Sequence, residues 1–238
     1  MYNKKEVKKM IIEGLQKLTL LDYPGHVACT MFSHGCNLRC PFCHNAGLVV
    51  RKADNIINKE EISQFLEKRK GILDGICLTG GEPLLQKDAV EFLRFLRSFG
   101  YKIKLDTNGF YPERLKEAIT EGLVDYIAMD IKSSPKNYHK AVGIQDIDIE
   151  PMKESVSIIM NSGIDYEFRT TAVKGIHTID DFKSIGEFIK GAKKYFIQQF
   201  IDSGDLISGG LSAFSAEETK ELLDSVLPYI PTAEIRGL

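Results

Sequence analysis

Apolar runs of strand length alternate with amphipathic runs of helix length along almost the whole chain. This alternation narrows the fold more than any other feature. Strands are expected over 27–32, 75–79, 101–105, 124–129, 164–172 and 195–200. A leading strand over 11–21 turns at Tyr23-Pro24-Gly25, and a last strand is expected over 233–236. Helix starts fall between them: Asn58 with Glu61, Thr178, and Ser215 with Glu218 read as N-caps or capping boxes. Gly100 stops a helix over 88–99, Pro112 opens another that Gly122 closes, and one more spans 151–160. Strands separated by helices imply βαβ units, hence an α/β fold on a parallel sheet. Six such units are too few to close an eight-fold barrel. In barrels the chemistry sits on loops after the strands, and every unusual polar cluster of this sequence does follow a strand. Residues 1–11 read as a charged tail and 12–238 as one core domain.

The loop after the 27–32 strand carries Cys36-Asn37-Leu38-Arg39-Cys40-Pro41-Phe42-Cys43. Three thiols at this spacing can converge on one metal centre, one ligand short of a closed iron–sulfur or structural zinc site. A missing ligand can leave an open metal position, and soft ligands favour zinc or iron–sulfur. The plainer alternatives are buried thiols or a zinc knuckle with His44 as fourth ligand, although Cys43 and His44 are neighbours and chelate one ion awkwardly. Five cysteines, three of them clustered, fit a metal site in a reducing compartment and not a disulfide framework. Cys29 and Cys77 lie within strands and read as small core residues. A net charge of −2 argues against nucleic acid or an anionic membrane as a partner. No run approaches membrane-spanning length and no signal peptide is evident, so a cytoplasmic location is expected.

Cys-x3-Cys-x-Phe-Cys followed by His44-Asn45 resembles the cluster loop of the radical S-adenosylmethionine (radical SAM) superfamily. With Leu20-Leu21-Asp22-Tyr23-Pro24-Gly25 ahead of it, the chain is most similar to the activating enzymes of glycyl radical enzymes. Those of anaerobic ribonucleotide reductase and pyruvate formate-lyase are the reference points, and the resemblance runs over roughly residues 12–236. It implies a partial (β/α)6 TIM-type barrel, and the strand count agrees. It implies a [4Fe–4S] cluster on Cys36, Cys40 and Cys43, with S-adenosylmethionine on the fourth iron and against Phe42, Cys43 and His44.

Further residues take roles by the same resemblance. Thr79-Gly80-Gly81-Glu82-Pro83 matches the element that binds the methionine amino group, and paired glycines let backbone approach a ligand. Asp106 at a strand end suits the cofactor's ammonium, with Asn108 beside it. Asp106, Thr107 and Asp130 match positions that hold a monovalent cation. Lys132, Arg169 and Thr171 match cofactor contacts, and Gln198 or Gln199 stands where the pyruvate formate-lyase activator has a histidine. Gln199 is taken as the contact. His26, His34, His139 and His177 show no partner pattern.

The activity implied is reductive cleavage of S-adenosylmethionine to methionine and a 5′-deoxyadenosyl radical, driven by an electron at roughly −400 mV or below. A low-potential donor such as flavodoxin or ferredoxin is implied as a partner. Only Cys77 falls between Cys43 and Gly80, so no inserted ferredoxin-like domain is expected, and a short open barrel could admit a glycine-bearing loop. The protein substrate implied is a glycyl radical enzyme such as anaerobic ribonucleotide reductase. The alternatives are radical chemistry on a small molecule or another protein, and a zinc or iron–sulfur binding module.

Overall fold

The computed structural model describes residues 10–202 and 204–237. One eight-stranded sheet carries the fold, with its strands in chain order. They are β1 (Ile12–Thr19), β2 (Ala28–Ser33), β3 (Gly75–Gly80), β4 (Lys102–Thr107), β5 (Tyr126–Asp130), β6 (Asp165–Ala172), β7 (Tyr195–Gln199) and β8 (Ala233–Arg236). β1 pairs antiparallel with β2, and β2 through β8 run parallel. Among the described residues β1 and β8 are the two edges, so the sheet is an open α/β arc of the partial-barrel kind.

The connections hold α1 (Ala46–Val50), α2 (Lys59–Lys68), α3 (Ala89–Arg97), α4 (Pro112–Thr120), α5 (Tyr138–Val142), α6 (Glu150–Asn161), α7 (Ile179–Phe188) and α8 (Ala216–Val226). The expected start signals work as capping boxes: Asn58 with Glu61, Thr178 with Asp181, and Ser215 with Glu218 each satisfy two otherwise unpaired N–H groups. α3 buries Ala89, Val90, Phe92, Leu93 and Leu96, the stripe its periodicity predicts with Phe92 added. α1, α5 and a 3-10 turn at Pro83–Leu85 are too short to leave a periodic signal, and the sequence reading lacks them. Among the described residues no helix is long and apolar enough to cross a membrane.

The strands' period of two gives the sheet unlike faces. Ile103, Leu105, Ile127, Met129, Phe168 and Ile197 are fully buried within one continuous apolar cluster that also takes in the helices. Each such side chain contributes about 1.5–3 kcal/mol of burial free energy. The other parity carries Lys104, Asp106, Asp130, Glu167, Arg169 and Arg236, linked to one another by ion pairs. The concave side of the arc is therefore charged, and it is the side that holds the site.

Several boundaries differ from the sequence reading by a few residues, and two of them bear on the site and its packing. β4 runs on to Thr107 because Asp106 and Thr107 pair with Ala128 and Met129 of β5. The tail reading falls mainly on residues 1–9, which lie outside the described residues. Met10 is buried in the core, and the N–H groups of Met10 and Ile11 donate to Asp88 Oδ2 and Gln86 Oε1, each at 2.7 Å.

Candidate functional site

The strands β2 to β7 send the residues at and after their C-terminal ends into one cavity. Cys36, Cys40, Phe42, Cys43 and His44 line it after β2, and Gly80 and Gly81 at the end of β3. Asp106, Thr107 and Asn108 come from β4, Asp130 and Lys132 from β5, Arg169 and Thr171 from β6, and Gln198 from β7. Of the predicted site residues, only Glu82 and Gln199 do not line it.

The cysteine loop is held in shape by its own backbone and by α5. Leu38 is buried, Cys43 N–H donates to Cys40 O at 3.0 Å, and Arg39 N–H donates to Val142 O at 2.9 Å. The Arg39 guanidinium folds back to donate to Cys36 O and Leu38 O at 2.8 and 2.7 Å. Gly143, with φ of +68°, passes under this loop where a Cβ would stand 2.4 Å from Arg39 O. Burial pushes the Cys36 thiol up to about 12 and the Cys40 thiol up to about 11. Both are protonated at neutral pH without metal, so binding iron means displacing protons.

Phe42 sets its edge against His177, whose ring Nδ1 accepts the Val173 N–H at 3.1 Å. That fixes the proton on Nε2, which donates to Lys132 O at 2.8 Å. Burial lowers the His177 pKa and keeps it neutral. This histidine, without a partner pattern in the sequence, joins the cysteine loop to the Lys132 loop.

Gly80 and Gly81 are required by the protein's own packing. A Cβ on Gly80 would stand 2.4 Å from Ser33 N, and its φ is +112°. They make room for the end of β2 and the approach to the cysteine loop. Both still line the cavity.

Glu82 is fully buried. Leu84 N–H donates to Oε1 at 3.0 Å, Thr107 hydroxyl to Oε1 at 2.9 Å, and Asn108 N–H to Oε2 at 2.7 Å. Burial, the dominant influence, raises its carboxyl to about 7 against those hydrogen bonds. In this structure three of the carboxylate's acceptor sites are taken, two of them tying the β3 loop to the β4 loop, and Glu82 does not line the cavity.

The interior charges form a ladder. Arg169 donates from Nε to Asp130 Oδ1 at 2.9 Å and reaches Asp106 Oδ2 at 3.4 Å. Lys132 Nζ donates to Asp130 Oδ2 at 2.9 Å, and Lys104 pairs with Asp106. Burial acts to raise both carboxyls; Arg169 with Lys132 at Asp130, and Lys104 with Arg169 at Asp106, outweigh it and hold both low. Arg236 grips Glu167 with two nitrogens at 3.0 and 3.1 Å, one step further down. Asp130–Lys132 is thus a link in a partly buried network and not a surface pair. The oxygens expected to hold a monovalent cation already carry these partners, and Thr107 donates its hydroxyl to Glu82.

Gln198 replaces Gln199 as the cavity glutamine. Gln199 turns to the helix side, donating to Phe214 O at 2.7 Å and accepting from Thr219 Oγ1 at 3.1 Å. Adjacent strand residues face opposite ways, and Gln199 shares parity with buried Tyr195 and Ile197. That parity is the signal that could have chosen Gln198.

The residues present fit the cofactors that the resemblance implies. Among the described residues no three His, Cys, Asp or Glu side chains gather closely enough to share a single ion. A cluster takes one thiolate on each of three different irons, and the three thiols line one cavity for it. Beside them, carboxylates, cations and the neutral Thr171 and Gln198 present groups suited to an amino acid joined to a nucleoside.

The comparisons with known proteins agree with this geometry. Residues 30–189 match the family model described as the radical SAM superfamily. A Methanocaldococcus jannaschii protein, named provisionally as a glycyl-radical enzyme activating enzyme, is 33% identical over 97% of each chain. A second protein of that organism with the same provisional name is 30% identical over 67% of this chain and 62% of its own. Among solved structures, Streptococcus suis SuiB bound to S-adenosylmethionine superposes with a TM-score of 0.67 at 14% identity. It covers 85% of this chain and 48% of that one. Escherichia coli QueE gives 0.52 at 11% identity over 98% and 93%. The family match, the shared fold and the three thiols at one cavity make this chain a member of the radical SAM superfamily, an enzyme of the cluster-and-S-adenosylmethionine kind.

Proposed function

We propose that this protein is an activating enzyme that installs a glycyl radical on a partner enzyme. The observation that carries the reading is the end-to-end similarity to the M. jannaschii protein, 33% over 97% of both chains. When bound, the cluster and S-adenosylmethionine supply a radical able to remove a hydrogen atom. The chain's own residues do the rest. Cys36, Cys40 and Cys43 would hold the cluster. Asp106 and Asp130, kept ionised by Arg169, Lys104 and Lys132, offer charge to the cofactor's ammonium, and Lys132 and Arg169 offer it to the carboxylate. Thr171 and Gln198, on the same cavity wall, would offer hydrogen bonds to its nucleoside part. A low-potential carrier such as a flavodoxin or ferredoxin delivers the electron.

The test uses a glycyl radical enzyme encoded in the same genome. Mixed anaerobically with this protein, reductant and S-adenosylmethionine, the partner should show a glycine-centred doublet by electron paramagnetic resonance. Replacing the partner's glycine by alanine should abolish the doublet while cofactor cleavage persists. Steady cleavage with no doublet on any such partner would move the activity to a different substrate.

A further inference from the structure

The side chain of Asn108 faces the first cysteine of the cluster loop. Its Nδ2 lies 3.7 Å from Cys36 Sγ and donates to Asn37 Oδ1 at 2.8 Å. The amide cannot be turned over without loss, because its Oδ1 accepts the Phe110 N–H at 3.1 Å. Its backbone is pinned as well, since Asn108 N–H donates to the buried carboxylate of Glu82 at 2.7 Å. The residue itself is buried. An amide N–H, fixed from three sides, is thereby presented to a sulfur that also receives the Leu38 N–H at 3.4 Å.

We propose that Asn108 is a positioning residue that sets the reduction potential of the cluster through a hydrogen bond to Cys36 Sγ. Hydrogen bonds to cluster sulfurs favour the more reduced, more negative state and so raise the potential. Asparagine is the residue type this turn needs: its oxygen closes the turn on Phe110 and its nitrogen is left for the sulfur. Aspartate would close the same turn but present a second acceptor to the thiolate. The amide nitrogen carries two N–H bonds, so one donates to Asn37 Oδ1 while the other is left for the sulfur. The proposal rests on a cluster bound at the three thiols. It needs no glycyl radical partner, so its failure and the failure of the activase reading are separate events.

The test is a redox titration of the reconstituted cluster followed by electron paramagnetic resonance, without S-adenosylmethionine or partner. At an iron content equal to wild type, Asn108→Ala should move the midpoint to a more negative potential, and Asn108→Asp should move it further. Midpoints equal to wild type in both would overturn the proposal. If either of these variants fails to hold iron, Asn108→Ser decides, since its hydroxyl can accept the Phe110 N–H as the amide oxygen does but presents no amide N–H to the sulfur. The midpoint should again fall below wild type; an unchanged or higher midpoint overturns the idea.

Discussion

Gly81 lies so close to Gly35 that a Cβ on it would stand 2.0 Å from the Gly35 carbonyl oxygen. Gly81 N–H donates to Ser33 O at 2.9 Å and Glu82 N–H to Gly35 O at 2.8 Å, so the β3 loop is zipped to the approach of the cysteine loop. Backbone cannot retreat as a flexible side chain can. Gly81→Ala should therefore destabilise the metal-free protein by about 3 kcal/mol and lower iron incorporation with it. Urea unfolding and iron analysis check this; a fully stable variant with normal iron would mean the loops are free to separate.

Arg169 stands between Asp106 and Asp130, its side chain 13% exposed. Taking it away leaves two partly buried carboxylates with less charge to answer them. Arg169→Met should cost about 2–3 kcal/mol in unfolding free energy, below the amount typical when one partner of a fully buried pair is removed. A loss below about 1 kcal/mol would show that Lys104 and Lys132 suffice.

Glu82 gives the metal-free protein a pH dependence of known sign. Its folded pKa of about 7 lies above the ordinary value of 4.5. The folded carboxyl thus holds its proton more tightly than the unfolded chain does. Stability from this group is complete below about pH 4.5, declines as pH rises to about 7, and is flat beyond. The decline is on the order of 3 kcal/mol. His44 and His177, lowered by burial, add an opposite slope that a Glu82→Gln variant shares. The wild-type minus variant difference, by chemical unfolding at several pH values, should carry the decline; a constant difference would contradict it.

Gln198 and Gln199 should separate cleanly. Gln198→Ala removes one hydrogen-bonding group from the cavity and should weaken S-adenosylmethionine binding to the cluster-loaded protein about fivefold, or about 1 kcal/mol. Gln199→Ala should leave that affinity alone and cost about 1 kcal/mol of stability through Thr219 and Phe214. Anaerobic calorimetry reverses the assignment if the two results are exchanged.

Much of this molecule is legible in its sequence, for identifiable reasons. The apolar parity of β3 to β7 and the capping residues of α2, α7 and α8 act locally, so they survive in a linear reading. The cysteine spacing is local as well. The charged ladder is not: Lys104 and Glu167 look like the wetted side of ordinary alternating strands, and only the curvature of the sheet turns that side inward. The motif around Glu82 is local and legible, while its bonds to Thr107 and Asn108, some 25 residues away, have no local signature. His177 reaches Lys132 across 45 residues and has no local signature.

The central claim is that Cys36, Cys40 and Cys43 together hold one cluster at which S-adenosylmethionine is cleaved. The direct measurement is iron content and 5′-deoxyadenosine formation, taken side by side on anaerobically reconstituted protein with a low-potential reductant. Wild type, Cys29→Ala and Cys77→Ala should each hold about four iron per chain and form the product. Cys36→Ala, Cys40→Ala and Cys43→Ala should each lose both. A loop variant that keeps its iron and its product, or a wild type that takes up one zinc and no iron, would contradict the account.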